Sequence, residues 1–338
     1  MIVAENLVKE FKVYRRRPGL LGSLGTLFSR EHRLVRAVSG VSFEIPAGGK
    51  AAYIGANGAG KSTTVKMLTG IMRPTSGRCL VSGLEPYRER RRNAANIGVV
   101  FGQRSQLWWD LPVPDSFRIL RRIHEVPDPV YRRNMALYRE LLDLDALGTT
   151  PVRQLSLGQR MRAEVAASLL HDPAVVFLDE PTVGLDLVLK EAVRELINHV
   201  NAELGTTIML TSHDIGDITA ICDQVLVVNR GEVVHQGTMR ELLRTADTRA
   251  VVFEYQGEPS PEQAITLIEG HLEGASARPV EGGRITVDYP ARRWSARQVM
   301  GFLLEHFELT DCVAPEPDLE TVLRRIYTGP DRTPEALV

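Results

Sequence analysis

The sequence contains little cysteine, and Cys79, Cys222 and Cys312 are an odd number at unrelated spacings. Disulfide scaffolds and zinc sites instead use cysteines in pairs or at short, regular spacings. We therefore expect reduced thiols in a cytosolic protein, with neither a disulfide framework nor a zinc site.

Long hydrophobic runs are also missing. No stretch approaches the ~20 apolar residues that a helix needs to cross a bilayer. The first residues, "MIVAENLVKEF", reach a charge at Glu5, so we expect no secretory leader. The formal net charge is −1, which gives no electrostatic reason to expect nucleic acid as a partner. The 338 residues suffice for two domains.

Short apolar runs alternate with helical ones over about the first 240 residues. The runs are "VSFEI", "KAAYIG", "IGVVF", "AVVFLD", "TTIMLT" and "QVLVVN". Continuous apolar strands with intervening helices indicate an α/β fold with a largely parallel sheet covered on both faces. Residues 112–148 interrupt this alternation with two helices split by "PDP", which predicts an inserted helical subdomain.

From about residue 249 the pattern changes to βαββαβα, the plan of a small α+β ferredoxin-like domain. Ser260 and Pro261 predict the start of its first helix, and Gly282–Gly283 predicts a hairpin turn. We place the two domains at 1–242 and 249–338. Ferredoxin-like domains serve dimerisation, ligand sensing or plain packing. We favour an accessory role in dimerisation or regulation.

One glycine-rich stretch, "YIGANGAGKST", follows an apolar run and precedes a helical one. It fits G-x-x-x-x-G-K-[ST] from Gly55 to Ser62, a loop whose backbone N–H groups cradle phosphates. Gly58 and Gly60 let the backbone approach closely, Lys61 would reach the β- and γ-phosphates, and Ser62 would offer its hydroxyl to Mg²⁺. A chance glycine-rich turn is the alternative reading of this stretch alone.

Polar side chains follow three further apolar strands. In "AVVFLDEP", Asp179 can anchor Mg²⁺ and Glu180 can polarise a water for attack on the γ-phosphorus. Gln103 in "VVFGQRS" can contact Mg²⁺ or the water, and His213 in "TSHD" can hold the γ-phosphate. Taken singly, each has a structural alternative: a surface acidic pair, a solvated glutamine and a packed histidine.

A second anion site is predicted in "LSLGQRMRAEVAASLL". Ser156, Gly158 and Gln159 stand where a helix begins, and the first turn of a helix leaves backbone N–H groups unpaired at the positive end of its dipole. Because the glycine loop already provides one phosphate cradle, this second site calls for a different phosphate.

In this order, the glycine loop, Gln103, "LSLGQ", "DE", "GLD" and "TSHD" resemble the motifs of an ABC transporter ATP-binding subunit, over residues 1 to about 242. The resemblance implies a P-loop NTPase fold with a β-subdomain and a helical subdomain at about 104–165, and hydrolysis of ATP with Mg²⁺. It implies three catalytic groups, Glu180, His213 and Gln103, and three Mg²⁺ ligands, Ser62, Gln103 and Asp179. The positions that it implies for ATP binding are Phe11, Gly55, Asn57, Gly58, Ala59, Gly60, Lys61, Ser62, Thr63, Ser156, Gly158, Gln159 and Asp186. Tyr14 rivals Phe11 as the aromatic residue that stacks on adenine.

The resemblance also implies a second copy of the chain. In this family two ATPase domains pack head to tail, so Ser156 and Gly158 would bind the ATP held by the partner's glycine loop. Two charge-assisted hydrogen bonds of ~1.5–3 kcal/mol each would shift dimer affinity by ~2–4 decades. Two positions depart from the family pattern: Leu157 replaces a glycine, which predicts ordinary backbone φ there, and Ala56 replaces the proline common in related exporters.

Separate membrane permease subunits are implied as partners, with the chain bound peripherally at the cytoplasmic face of a bacterial inner membrane. The pair Trp108–Trp109 could line a groove for the permease or fill the core of the helical subdomain. Apolar positions 20, 21, 24, 27 and 28, flanked by arginines, could form an amphipathic segment within 15–36, or an ordered excursion from the β-subdomain.

Within transport, "VVFGQRSQLWWDLPV", "RQLSLGQRMRAE" and the 15–36 excursion look most like ATPases of drug, antibiotic or sodium exporters with separate permease chains. A polysaccharide or glycolipid exporter is the alternative. A non-transport ABC ATPase is also possible, although such proteins usually carry tandem cassettes or long coiled-coil insertions. A ligand-sensing P-loop switch would show negligible turnover.

Overall fold

The computed structural model describes residues 1–14, 32–102, 105–280, 283–315, 317 and 319–328. They form two compact units that divide in sequence between Gly237 and Thr238. The helix Met239–Arg244 belongs to the second unit, where it contacts the helix Leu319–Thr328. This division precedes the end of the first domain at residue 242 that the sequence pattern indicates.

The first unit contains nine strands and seven α-helices within the described residues. Its strands are β1 Ile2–Tyr14, β2 His32–Ile45, β3 Lys50–Gly55, β4 Ser76–Val81, β5 Ile97–Val100, β6 Val175–Asp179, β7 Thr207–Thr211, β8 Gln224–Asn229 and β9 Glu232–Gly237. Its helices are α1 Lys61–Leu68, α2 Arg90–Asn96, α3 Val113–Ile123, α4 Asp128–Leu142, α5 Leu157–Leu169, α6 Leu187–Leu204 and α7 Ile215–Ile221.

The central sheet of the first unit has the order β5-β6-β7-β3-β8-β9. Strands β5, β6, β7, β3 and β8 run parallel, and β9 pairs antiparallel with β8. All five residues of β7 and four of the five in β6 are buried, because helices cover one face of the sheet while α1 and the strands β1 and β2 cover the other. The parallel arrangement places the carboxyl ends of β3, β6 and β7 at one edge.

The β-subdomain that the resemblance implies contains a second, antiparallel sheet of order β2-β1-β4, although the sequence pattern did not indicate the strand β1. In "IVAENLVKEFKVY", the buried residues Ile2, Ala4 and Leu7 are separated by half-buried or exposed ones, so no continuous apolar run marks β1. Ile2 and Leu7 of β1, with Val41 and Ile45 of β2, join the core that also packs against the central sheet. The segment 15–31, which includes the apolar positions of the predicted amphipathic stretch, lies outside the described residues.

Prolines delimit the helical subdomain. Pro112 caps α3, and Pro127 caps α4, so the predicted break at "PDP" separates two helices. Tyr138 of α4 is buried and donates to the Leu169 carbonyl oxygen at 2.9 Å, which attaches the subdomain to α5. None of the helices formed by the described residues combines the length and apolar character needed to cross a bilayer.

The second unit has the element order βαββαβα after an initial short helix. Its elements are α8 Met239–Arg244, β10 Thr248–Gln256, α9 Pro261–His271, β11 Ser276–Val280, β12 Arg284–Pro290, α10 Ala296–His306, β13 Glu308–Val313 and α11 Leu319–Thr328. The antiparallel sheet has the order β11-β12-β10-β13, and its core contains Phe253, Tyr289 and Phe307. Ser260 caps α9 through a capping box, with Pro261 at the first helical position. Gly283 has φ +78° before β12, while Gly282 lies outside the described residues.

In the first unit, Gly98 of β5 lies close to the backbone of α5, so a substitution at Gly98 tests how β5 packs against α5. A Cβ there would stand 2.1 Å from the Ser168 carbonyl oxygen in α5. We expect Gly98→Ala to lower the free energy of unfolding by about 1–3 kcal/mol, measured by urea denaturation. Gly301→Ala in α10 is the control, because its Cβ would meet nothing within 4 Å and alanine favours helix. Equal losses in both variants would contradict the packing described.

Candidate functional site

The glycine-rich loop joins β3 to α1, and its backbone requires glycine at particular positions. Gly58 and Gly60 have φ of +80° and +101°, in the left-handed region. A Cβ on Gly60 would also stand 2.4 Å from the Ala37 carbonyl oxygen, and one on Gly55 would stand 2.4 Å from that of Val228. The loop therefore curls tightly around the start of α1, whose unpaired N–H groups favour an anion.

Lys61, the first residue of α1, lies across this loop. Its Nζ donates to the Gly55 carbonyl oxygen at 2.5 Å and to that of Ala56 at 3.3 Å. Burial lowers the pKa of Lys61, and the nearby charges of Glu180 and Asp179 oppose that shift. The ammonium is thus held within the loop, next to two carboxylates.

The two carboxylates follow β6, beside the end of β7. Asp179 pairs in register with Thr211, whose Oγ1 donates to the Asp179 carboxylate. Glu180 has φ +54°, so the chain turns sharply as it leaves the strand. Oε1 of Glu180 lies 2.8 Å from Nδ1 of His213, whose side chain is 82% exposed. The structure therefore brings together the acidic pair and the histidine that the sequence indicated separately.

A cavity of about 740 Å³ opens between the glycine-rich loop, the two carboxylates and the start of α5. It is lined by eight of the residues predicted for the site: Asn57, Gly58, Gly60, Lys61, Ser62, Thr63, Asp179 and Glu180. Its other lining residues are Ala37, Ala56, Lys66, Ile71, Phe101, Gly102, Leu157, Met161 and Val183. The predicted residues Gly55, Ala59, Ser156, Gly158, Gln159, Asp186 and His213 are not among the lining residues.

Gln103 lies outside the described residues, so its predicted roles stay predictions. The chain just beyond it is fastened to α5, because Glu164 accepts hydrogen bonds from the Ser105 hydroxyl and from the Gln106 backbone N–H, the latter at 3.2 Å. Burial raises the pKa of Glu164. Two residues with contacts near the site, Glu164 and Thr211, were not predicted from the sequence. Nothing in the pattern of its helix distinguishes Glu164, whereas Thr211 ends an apolar strand, as Asp179 does, and could have been predicted from that position.

The segment predicted to bind a second phosphate begins α5. Ser156 caps this helix in a reciprocal capping box with Gln159, so both side chains contact backbone N–H groups. Leu157 occupies the first helical position and is absent from the residues with positive φ, as its side chain predicts. A Cβ on Gly158 would stand 2.8 Å from the Gly184 carbonyl oxygen, so α5 packs tightly against the turn that precedes α6.

Two further predicted positions, Asp186 and Phe11, do not line the cavity. Asp186 caps α6 by accepting from the Leu189 N–H at 2.9 Å. Phe11 in β1 pairs with Val35 and is not among the cavity-lining residues. The side chain of its rival, Tyr14, is outside the described part of the chain.

The tryptophans Trp108 and Trp109 were predicted either to line a groove for the permease or to fill the core of the helical subdomain, and both are only partly exposed. Trp108 is 37% exposed and Trp109 is 51% exposed, whereas the preceding Leu107 is buried in the core. The Arg160 guanidinium lies 5.6 Å from the Trp109 ring centroid. Leu107 thus provides the core contact, and both indoles keep surface that a partner can cover.

The residues at the cavity fit magnesium bound together with a nucleotide. Asp179 supplies a carboxylate and Ser62 a hydroxyl, and both line the cavity. In the described part of the chain, no three His, Cys, Asp or Glu side chains cluster so as to hold a metal by themselves. Mg²⁺ commonly uses one or two protein ligands and takes its other oxygens from phosphates and water, which this donor set allows.

Comparisons with known proteins agree with this geometry. The family model described as ABC transporter matches residues 38–183. The methionine import ATP-binding protein MetN of Geobacillus kaustophilus is 34% identical over 243 residues, which cover 70% of this chain and 71% of that protein. A Nod factor export ATP-binding protein of Ralstonia nicotianae is 34% identical over 224 residues, covering 66% of this chain and 69% of that protein.

Solved structures share the fold of the first unit. A dimeric bacterial ABC transporter cassette matches with a TM-score of 0.59 at 22% identity, over 71% of this chain and 99% of that one. CbiO1 of Clostridium perfringens, part of an ABC transporter complex, matches with a TM-score of 0.53 at 27% identity, over 72% of this chain and 93% of that one. The glycine-rich loop and the adjacent carboxylates lie in the matched sequence region. The chain therefore belongs to the ABC transporter family, as an ATP-binding subunit that couples ATP hydrolysis to transport.

Proposed function

We propose that this chain drives export of a substrate through separate permease subunits, by hydrolysing ATP with Mg²⁺ at a seam between two copies of itself. One observation carries the catalytic part of the proposal. The glycine-rich loop with Lys61, the carboxylates of Asp179 and Glu180, and His213 converge at the carboxyl edge of one sheet.

Each of these groups has a chemical task in the proposal. The loop amides and the Lys61 ammonium bind the phosphates, and Lys61 exchanges the carbonyl oxygens of its own loop for phosphate oxygens. Asp179 and Ser62 would hold Mg²⁺, which neutralises phosphate charge when bound. Glu180 orients and polarises the attacking water, and the imidazole of His213, in contact with Glu180, faces the γ-phosphate. Gln103 completes the Mg²⁺ and water contacts in this proposal.

Replacing the proposed water-polarising carboxylate tests the reaction directly. Glu180→Gln keeps the size of the side chain but removes its charge, so we expect ATP binding close to wild type and turnover lowered ~100-fold or more. The measurements are nucleotide titration and phosphate release. Glu203→Gln, at an exposed position of α6, is the control for loss of one carboxylate charge. Near-normal turnover in Glu180→Gln would refute the role of Glu180.

The arrangement of the start of α5 supports the proposed second copy. The bacterial ABC transporter cassette that matches this chain is dimeric, and we propose a head-to-tail dimer in which Ser156 and the Gly158 N–H contact the ATP bound by the partner copy. The Ser156 oxygen accepts from Gln159, which leaves its hydroxyl hydrogen for a phosphate oxygen. The N–H groups of the first two residues of α5 lack intrahelical partners because of helix geometry.

Crosslinking between two differently tagged chains tests this seam. One chain carries Asn57→Cys and the other Ser156→Cys, both in the Glu180→Gln background that retains ATP. Because each chain carries one introduced thiol, a bond between them can form only across two copies. We expect ATP-dependent disulfide dimers, detected on non-reducing gels, and none when both chains carry only Ser156→Cys. Absence of a mixed crosslink with ATP present would contradict the head-to-tail dimer.

The direction of transport rests on sequence resemblance, and the relatives include both directions. The Nod factor export protein supports export, whereas the MetN relative favours import as the second candidate.

We propose that the permease binds near Trp108 and Trp109, because both indoles are partly exposed beside the helical subdomain. The chain would then be a peripheral protein of the cytoplasmic face of a bacterial inner membrane, with its second unit serving dimerisation or regulation.

Reconstitution of the native complex tests coupling and direction together. The chain is used to co-purify its permease from native membranes, and the complex is placed in proteoliposomes. ATP supplied on the side that exposes the chain should move the substrate away from that side.

A variant with Trp108→Ala and Trp109→Ala should hydrolyse ATP when it is free of the permease but should no longer co-purify with the permease. Uptake of methionine toward the ATPase side would instead establish the import candidate, and full retention of the permease by the double variant would exclude the indoles as its contact.

A further inference from the structure

A buried carboxylate, Asp217 of α7, lies behind the candidate site. Its side chain is fully buried. Its Oδ1 accepts from Nε of Arg194 at 2.9 Å and lies 2.7 Å from Nη2 of the same guanidinium. Its Oδ2 accepts from Oγ1 of Thr182 and, at 3.3 Å, from Oγ of Ser212. All three partners are buried, so one carboxylate is the centre of a largely buried polar network, which reaches the surface where Arg194 also pairs with Glu191.

The two hydroxyl groups of this network belong to the segments that carry the reactive side chains. Thr182 follows Glu180 by two residues, and Ser212 immediately precedes His213. Asp217 therefore joins the continuation of β6 to the continuation of β7.

This bridge lies just beyond the end of the regular strand pairing. The paired residues of β6 and β7 extend to Asp179 and Thr211, and the Glu180 N–H donates to the Thr211 carbonyl oxygen at 2.9 Å. Glu180 then turns away with φ +54°. Beyond this turn, side-chain hydrogen bonds to Asp217, instead of strand pairing, hold the segment with Thr182 against the segment with Ser212.

We propose that Asp217 is a positioning residue, which fixes Glu180 relative to His213 by holding Thr182 and Ser212 together, and so supports hydrolysis without contributing to ATP binding. The inference rests on the proposed function, since it requires Glu180 and His213 to act in hydrolysis. Displacement of a reacting group by about 1 Å can cost ~100-fold in rate. By contrast, a buried ion pair adds little stability compared with apolar residues of the same volume, so stability alone gives a poor reason for this network.

A matched pair of threonine substitutions separates positioning from stability. Thr182→Val removes one hydroxyl bond to Asp217, whereas Thr206→Val removes an equally buried hydroxyl bond, 2.9 Å to the Pro173 carbonyl oxygen, at the opposite end of β7. We expect Thr182→Val to lower kcat about tenfold with KM for ATP within about twofold of wild type. Thr206→Val should leave kcat within about twofold, even where both variants lose similar thermal stability. Equal kcat values in the two variants, or a rise in KM matching the fall in kcat for Thr182→Val, would overturn the proposal.

A double-mutant cycle tests whether Asp217 acts through the segment that carries His213. Asp217→Asn is measured in the wild-type background and in His213→Ala. If Asp217 acts by positioning His213 against Glu180, its substitution should lower kcat at least tenfold in the first background and by less than threefold in the second. Equal fold-losses in both backgrounds would show that the two residues act independently. Where Asp217→Asn does not fold, Ser212→Ala takes its place in the same cycle.

The outcomes distinguish this inference from the proposed function. Normal turnover in Glu180→Gln would remove the proposed function itself, whatever Thr182→Val does. An inactive Glu180→Gln together with a fully active Thr182→Val would leave the proposed function intact and reject the positioning role alone.

Discussion

The parallel pairing of β6 with β7, and of β7 with β3, is the constraint on which the site depends. Because these strands are buried on both faces, a slip in their register would disrupt the close packing of side chains on both sides of the sheet. Register fixes Asp179 opposite Thr211, and strand order places the glycine-rich loop beside them. Groups of the candidate site that are more than a hundred residues apart in sequence, such as Lys61 and Asp179, thus meet because of packing in the sheet.

The Lys61 ammonium alone does not balance the charge at the site. The two carboxylates that follow β6 repel each other and attract Lys61, and their charges oppose the fall in its pKa that burial causes. A triphosphate would bring further negative charge to the same place. In the proposed reaction, the loop amides and Mg²⁺ would offset that charge as well as position the phosphates. The carboxylate of Asp179 and the hydroxyl of Ser62 fit a metal that takes its other oxygens from phosphates and water.

The parts of the site that could be predicted from the sequence are those determined by local chain geometry. The glycine pattern specifies left-handed backbone at Gly58 and Gly60, and the start of α5 specifies its own capping box. The Asp217 network could not be predicted, because it joins α6, α7 and two strand ends through side chains that look individually ordinary. Likewise, β1 escaped notice since its alternating pattern becomes a strand only when β2 and β4 provide partners.

The starts of α1 and α5 could both bind phosphate, but they differ in how many other groups of the same chain surround them, and this difference bears on whether two copies assemble. The start of α1 adjoins a loop, a lysine and two carboxylates, and all of these lie within one chain. At the start of α5, Leu157 reaches the cavity, but Ser156 and Gly158 are not among its lining residues. Packing against the turn at Gly184 holds the start of α5 in place, because a Cβ at either Gly158 or Gly184 would meet atoms of the other segment. In the proposed head-to-tail dimer, this rigid helix start is half of a phosphate site, and a second copy of the chain would supply the other half.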